Sequence, residues 1–95
     1  MRRPKKSKYK SVVIKKKRYY FYKITWLDIT GDSGHADLHT ASGFMPSTMV
    51  THAYLFEKGK KYVWTFGSHE KDDELFSDRN VFPRGCVIKM EKVIL

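Results

Sequence analysis

The feature that most constrains the fold is a series of short stretches in which β-favouring residues alternate between two faces. Residues 19–29 (YYFYKITWLDI) form the clearest stretch, because aromatic and β-branched residues dominate it. In an extended strand Tyr22, Ile24 and Trp26 lie on the more hydrophobic face, together with Tyr20, and we expect that face to pack on the core. The opposite face is not fully polar, so we expect part of it to be covered as well.

Further strands are predicted by similar patterns along the rest of the chain. Lys58-Gly59-Lys60 separates two of them and predicts a tight hairpin. Pro83-Arg84-Gly85 predicts a break before the last strand, since proline lacks the N–H that a ladder needs. The predicted strands cover residues 47–57, 61–67, 80–82 and 86–95.

The segments between these strands have the composition of loops. Residues 35–46 follow a turn signal at residues 30–34 and have no sustained period, which predicts a long irregular loop with one helical turn ending near Gly43. Residues 68–79 (SHEKDDELFSDR) predict a charged connection, which could form a wide hairpin loop. No segment carries the apolar stripe of an amphipathic helix.

The resulting order of elements indicates the fold class. A strand, a long loop, two strands in a tight hairpin, a short strand, a one-turn break and a final strand follow one another, which is typical of an SH3-like barrel. We therefore predict an all-β protein: a small SH3-like β-barrel of about five strands over residues 19–95. A basic N-terminal arm over residues 1–18 is expected to precede it.

The net charge of +9 comes from this arm. Residues 1–18 hold ten lysines and arginines and no acid, whereas residues 19–95 hold nine cations against ten acids. The arm is too polar to form its own core, but residues 11–14 are mostly β-branched, and we expect them either to add a short edge strand or to dock on the body.

A polyanion, and nucleic acid in particular, is the partner that this composition favours. Cations neutralise phosphates and release counterions, and the interleaved tyrosines can stack on bases. A solubilising tail and a site for an anionic protein surface remain as alternatives. The candidate nucleic-acid-binding residues are Arg2, Arg3, Lys5, Lys6, Lys8, Lys10, Lys15, Lys16, Lys17, Arg18 and Tyr19.

A second candidate surface lies on the predicted strand 61–67. Tyr62, Trp64 and Phe66 share one face of this strand and could form a base-stacking surface. Aromatic residues at a period of two are more often packed into the core, and the core interpretation is the favoured one for this trio.

Catalytic and metal-binding patterns are missing from the sequence. His35 and His39 lack the third and fourth ligands of a zinc site, and Cys86 has no CxxC partner. Ser33 has no nucleophile-elbow motif around it. We therefore predict a protein that is not an enzyme and uses no cofactor or metal.

Targeting signals are absent as well. No apolar run reaches the length of a bilayer span, and the apolar patch at residues 12–14 is too short for a signal peptide. The single cysteine agrees with a reducing compartment. We expect an intracellular protein without membrane contact, and a homo-oligomer is a further possibility for a small barrel.

Three short motifs resemble those of small phage-encoded SH3-like barrel proteins of unknown function. They are Trp26-Leu27-Asp28 at a strand end, Thr51-His52-Ala53-Tyr54 in the next strand, and Pro83-Arg84-Gly85-Cys86-Val87-Ile88 before the last strand. The resemblance covers residues 22–94, and Ala53 stands where the pattern usually has glycine. It implies a viral origin and the host cytoplasm, or the virion, as the place of work.

Three functions fit these observations. The first is a non-enzymatic phage accessory protein that binds nucleic acid, or a host nucleic-acid complex, through the arm and the barrel surface. Deletion of residues 1–18 should then remove most of the salt dependence of binding. The second is an oligomeric counter-defence protein that sequesters an anionic nucleotide, and the third is a virion component or an inhibitor of a host protein.

Overall fold

The fold is built from antiparallel β-strands. A computed structural model describes residues 8–95, which contain eight strands, one short α-helix and one turn of 3-10 helix. The predicted all-β fold class is therefore confirmed. The elements are β1 (Ser11–Ile14), β2 (Lys17–Asp28), α1 (Leu38–Ser42), β3 (Ser47–Lys58), β4 (Tyr62–Phe66), β5 (Ser68–His69), β6 (Phe76–Ser77), β7 (Asn80–Pro83), the 3-10 helix (Arg84–Cys86) and β8 (Val87–Lys92).

Strand β2 is the centre of the main sheet because three strands pair with it. Along one edge, β1 pairs with residues 17–20 and β8 with residues 22–26, while β3 pairs with residues 21–28 along the other edge. The sheet continues from β3 to β4 and β7, and β5 pairs with β6 in a separate hairpin. Strands β2, β3, β4, β7 and β8 follow the predicted order; their assignment to an SH3-like barrel stays a prediction.

The sheet carries a hydrophobic core cluster on each face. On the first face Ile24, Val63 and Phe82 form a core cluster, with Trp26 among the side chains packed against it. On the second face Ile14, Tyr19 and Phe66 form another cluster, against which Phe76 of β6 packs. The prediction that Ile24 and Trp26 face the core is confirmed, and so is the prediction that the opposite face is partly covered.

The described part of the predicted arm is integrated into the sheet. Residues 11–14 form the expected edge strand, and the Ile14 side chain is only 4% exposed. Before β1, the Lys10 N–H donates to the Val93 carbonyl and the Leu95 N–H donates to the Lys8 carbonyl. The boundary predicted between residues 18 and 19 falls inside β2, because burial of Ile14 ties the cationic segment to the core. Residues 1–7 lie outside the described residues.

The connecting segments follow the sequence in part. Helix α1 ends before Gly43 as expected, and the Thr40 N–H donates to the Asp37 carboxylate at its N-terminus (2.7 Å). This backbone hydrogen bond, assisted by one from the Thr40 side chain, holds the pKa of the Asp37 carboxyl below its ordinary value.

The structure adds detail to two predicted segments. Residues 68–79, predicted as a charged connection that could form a wide hairpin loop, join the paired strands β4 and β7 and contain the β5–β6 hairpin. Phe76 supplies an apolar anchor for this hairpin on the second face. The last strand, predicted from residue 86, begins at Val87 and ends at Lys92. Cys86 belongs instead to the 3-10 turn, which extends the predicted break by one residue.

One buried hydroxyl leads to a stability prediction. Thr65 is 2% exposed, and its Oγ1 has no hydrogen-bond partner in the described part of the chain. A buried hydroxyl without a partner costs about 1–3 kcal/mol. We expect Thr65→Val, which keeps the shape, to raise the free energy of unfolding by about 1 kcal/mol in a denaturant titration.

Thr65→Ala is the matched control for this substitution. It removes a methyl group as well as the hydroxyl and leaves a small void, so it should lower the free energy of unfolding. A loss of stability with valine as large as the loss with alanine would show that the hydroxyl has a partner.

Candidate nucleic-acid interface

A strained turn presents two lysines at the tip of the β1–β2 hairpin. Lys15 and Lys16 form the two-residue loop between the paired residues Ile14 and Lys17. Their φ angles are 49° and 68°, the positive values of a type I′ turn. Asn-Gly is the usual pair in such a turn, and other side chains there cost about 1 kcal/mol each. The hairpin therefore holds two exposed ammonium groups at an energetic cost.

Lysine side chains lie over aromatic rings of β2 and over the ring of Tyr9, which precedes β1. The Lys92 Nζ is 4.3 Å from the centroid of the Tyr20 ring and 5.3 Å from that of Tyr9. The Lys10 Nζ is 4.1 Å from the centroid of the Phe21 ring. Cation–π attraction of this kind holds a long, flexible side chain in place, so charge and aromatic surface are presented together.

The cations of this region are not neutralised by carboxylates. Within residues 8–95 the one ion pair joins the Lys89 Nζ to the Glu91 Oε1 at 3.6 Å. The Arg18 guanidinium donates instead to the Ser11 hydroxyl at 2.6 Å, which fixes it across the β1–β2 ladder. The positive charge of the hairpin is thus available to an external anion.

A groove of about 270 Å³ collects part of this charge. We define the cationic groove by its cations Lys17, Arg18, Lys58 and Lys92 and its partly exposed tyrosines Tyr20 and Tyr22; the buried Tyr19 also contributes to its lining. It lies between the start of β2, the end of β3 and the end of β8, and its lining holds one carboxylate, that of Glu57. Four cations against one anion beside aromatic rings suit a phosphate-bearing ligand.

The structure places the described cations of the predicted site along and beside one hairpin, with Lys17 and Arg18 in the cationic groove. Arg2, Arg3, Lys5 and Lys6 lie outside the described residues. Along and beside the β1–β2 hairpin, all of the remaining predicted cations are exposed: Lys8, Lys10, Lys15, Lys16, Lys17 and Arg18.

Tyr19 is not available for stacking on a base, contrary to the prediction. Its side chain is only 6% exposed. Its ring packs edge-on against Phe66 and Phe76, with centroid distances of 5.3 and 5.7 Å. The alternation of β2 places Tyr19 on the covered second face, whereas Tyr20 lies on the first face beside Lys92.

The predicted stacking trio is divided between core and surface. Phe66 is fully buried, as the core interpretation of this trio predicts. The three rings therefore do not form one exposed platform. Tyr62 is 45% exposed and Trp64 is half-buried, with their ring centroids 5.8 Å apart.

Two members of the groove were missed from the sequence. Lys58 and Lys92 lie far from residues 1–18 along the chain and reach the groove only through strand pairing, Lys92 opposite Tyr22. The alternating pattern of the last strand could have shown which residues share a face of that strand with Lys92. No local signal predicts which strand lies next to it.

No metal cluster is found among residues 8–95, where no three His, Cys, Asp or Glu side chains lie close enough together to hold an ion. In the same residues, no helix has both the length and the apolar character to cross a membrane.

Comparison with known proteins gives no relative for this chain. No family model matches it, and no curated protein or solved structure is significantly similar to it.

Proposed function

We propose that this protein binds nucleic acid, without catalysis, through the β1–β2 hairpin and the cationic groove. The observation that carries the proposal is the strained Lys15-Lys16 turn. Both lysines adopt positive φ angles that Asn-Gly would adopt with less strain. Backbone strain of this kind is often found at functional sites. In this turn, the strained positions are occupied by two residues with exposed positive charges.

Aromatic rings favour nucleic acid over an anionic protein surface. Lys92 lies over Tyr20, and Tyr22 lines the same groove. Phosphates can pair with the ammonium groups while bases stack on the rings, and this combination is typical of proteins that bind single strands without sequence preference. An acidic protein surface can pair with the charges, but it has no flat bases to stack on the exposed parts of these rings.

The predictions made from the sequence about biological setting belong to this proposal. According to these predictions, the protein is a phage-encoded accessory protein. It works in the host cytoplasm or the virion and binds nucleic acid or a host nucleic-acid complex. Sequestration of an anionic nucleotide, and a role as virion component or inhibitor of a host protein, are the competing functions.

The turn offers a test in which stability and binding change in opposite directions. We expect Lys15→Asn combined with Lys16→Gly to raise the free energy of unfolding by about 2 kcal/mol, about 1 for each residue, because the new residues suit the positive φ angles. The same variant should bind a single-stranded oligonucleotide several-fold more weakly. The slope of log K against log salt should become shallower by about 1.4, which is 0.7 for each lost charge.

Lys60→Gln with Lys61→Gln is the matched control. It removes two exposed charges from the β3–β4 turn, outside the cationic groove. Both variants are compared by denaturant unfolding and by fluorescence anisotropy with a labelled oligonucleotide. Equal weakening of binding by the two variants would mean that net charge alone attracts the strand, and the hairpin would lose its proposed role.

A further inference from the structure

A larger cavity of about 980 Å³ borders the cationic groove. It lies where β4 and β7 meet the β5–β6 hairpin, and Trp64, Phe76, Leu75 and Val81 form its apolar wall. Leu75 and Val81 are 57% and 55% exposed, so this wall is open to solvent. An open cavity of this size with aromatic side chains in its wall is wide enough to admit a nucleic-acid base.

We propose that this cavity receives an unpaired base of a nucleic-acid strand whose phosphates lie along the cationic groove. The inference rests on the proposed function and assigns its substrate class, a single strand with accessible bases.

Phe56 connects the two sites, since it forms part of the lining of both. It lies at the register shift of the β3–β4 ladder, between Leu55 and Glu57, and its side chain is 37% exposed. Its ring stacks parallel to Tyr19 at 6.1 Å and meets Phe76 edge-on at 5.0 Å. A nucleotide beside Phe56 can therefore place its phosphate on the groove side and its base on the cavity side.

The charges of the two sites fix this orientation. The cavity lining carries the carboxylates of Glu74 and Asp78 and the guanidinium of Arg79, a net charge of −1. The groove carries four cations and one carboxylate, a net charge of +3. A phosphate is repelled by the first site and attracted by the second, whereas a neutral base can enter the cavity without loss of ion pairing.

Trp64 supplies the stacking surface. It is half-buried, and the Gly59 backbone gives its ring room, because a Cβ on Gly59 would lie 3.1 Å from the Trp64 ring. An indole held in this way loses little conformational entropy when a base stacks on it. Asn80 and Arg79 in the same lining can donate hydrogen bonds to a base edge.

The test compares oligonucleotides that have the same phosphates and different bases. Fluorescence anisotropy at fixed salt would measure the affinity of a single-stranded oligonucleotide, the same strand with abasic sites at its central positions, and a mononucleotide. We expect the normal strand to bind about tenfold more tightly than the abasic strand, and the mononucleotide to bind more weakly than either. Trp64→Ala should abolish the preference for bases and leave the affinity for the abasic strand unchanged.

Leu75→Ala provides a second variant in case the loss of Trp64 disturbs folding. Leu75 lines the cavity and Ile88 does not, and both are 57% exposed, which makes Ile88→Ala a matched control. We expect Leu75→Ala to reduce the preference for bases about threefold and Ile88→Ala to leave it unchanged. Thermal unfolding of each variant verifies that the fold is retained.

The outcomes separate this inference from the proposed function. Equal, salt-sensitive binding of the normal and abasic strands would overturn the base subsite and leave nucleic-acid binding in place. A preference for bases that persists in both cavity variants would place the base elsewhere and overturn the inference. No binding of any strand would overturn both. A mononucleotide that binds as tightly as the strand would overturn the assignment of a strand and favour nucleotide sequestration.

Discussion

Replacement of Phe66 by alanine is expected to lower the free energy of unfolding by about 3–5 kcal/mol. Phe66 is fully buried at the centre of the aromatic cluster on the second face. Its ring centroid lies 5.3, 5.4 and 4.8 Å from those of Tyr19, Tyr54 and Phe76. Such a loss is a large fraction of the 5–15 kcal/mol that is typical of a whole domain.

Tyr62→Ala is the control on the same strand. Tyr62 points to the same side as Phe66, but it is 45% exposed, so its removal should cost less than about 1 kcal/mol. Guanidinium titration of both variants measures the difference. Similar losses in the free energy of unfolding for the two variants would show that the second face does not form a core. The packing of the β5–β6 hairpin on that face would then not stabilise the protein.

The second large effect is expected from the cations at the start of the hairpin. Replacing Lys15, Lys16, Lys17 and Arg18 by glutamine should weaken binding of a single-stranded oligonucleotide about 100-fold at low salt, because four phosphate contacts and their counterion release are lost. Anisotropy titrations would measure this difference. The fold should persist, since all four side chains are exposed.

The control removes the same charge from other exposed positions. Glutamine at Lys60, Lys61, Lys71 and Lys89 also lowers the net charge by four, outside the cationic groove. This control should reduce affinity only a few-fold through the long-range field. A reduction equal to that of the hairpin variant would contradict a localised site.

Substitution tests the hairpin better than the deletion suggested by the sequence. Removal of residues 1–18 would delete β1 and the first two residues of β2. It would also remove Ile14 from the second core cluster. If that truncated chain lost binding, unfolding of the domain would explain the loss as well as removal of the cations would.

Alternation in the sequence predicted the strands well because β2, β3 and β4 are rich in β-branched and aromatic residues. It identified the face of β2 that carries Ile24, but it left Tyr19 as a surface residue, because the opposite face of that strand is covered as well. A half-buried strand shows which face is polar, and a strand covered on both faces does not.

Charge was a weaker guide to domain boundaries than burial. The change from the basic segment to the nearly neutral body suggested a boundary after Arg18, but Ile14 and Val12 attach residues 11–14 to the core. Two apolar side chains on a short strand were enough to recruit a highly charged segment into the sheet, with exposed lysines at its turn.

The candidate site was predicted only where it is local in sequence. The hairpin cations are neighbours along the chain, so composition alone identified them. Lys58, Lys92 and the Phe56 contact between groove and cavity depend on strand register, which is set by long-range packing. The covered position of Tyr19 depends on the same packing.

The salt dependence of binding tests the central claim most directly. Affinities of the unaltered protein and of the four-glutamine hairpin variant for one single-stranded oligonucleotide would be measured between about 50 and 200 mM salt. We predict a steep linear fall of log K with log salt for the unaltered protein, and a slope shallower by about 2.8 for the variant, which is 0.7 for each of four lost charges. Identical slopes, or an affinity that does not change with salt, would contradict binding of nucleic acid by the β1–β2 hairpin.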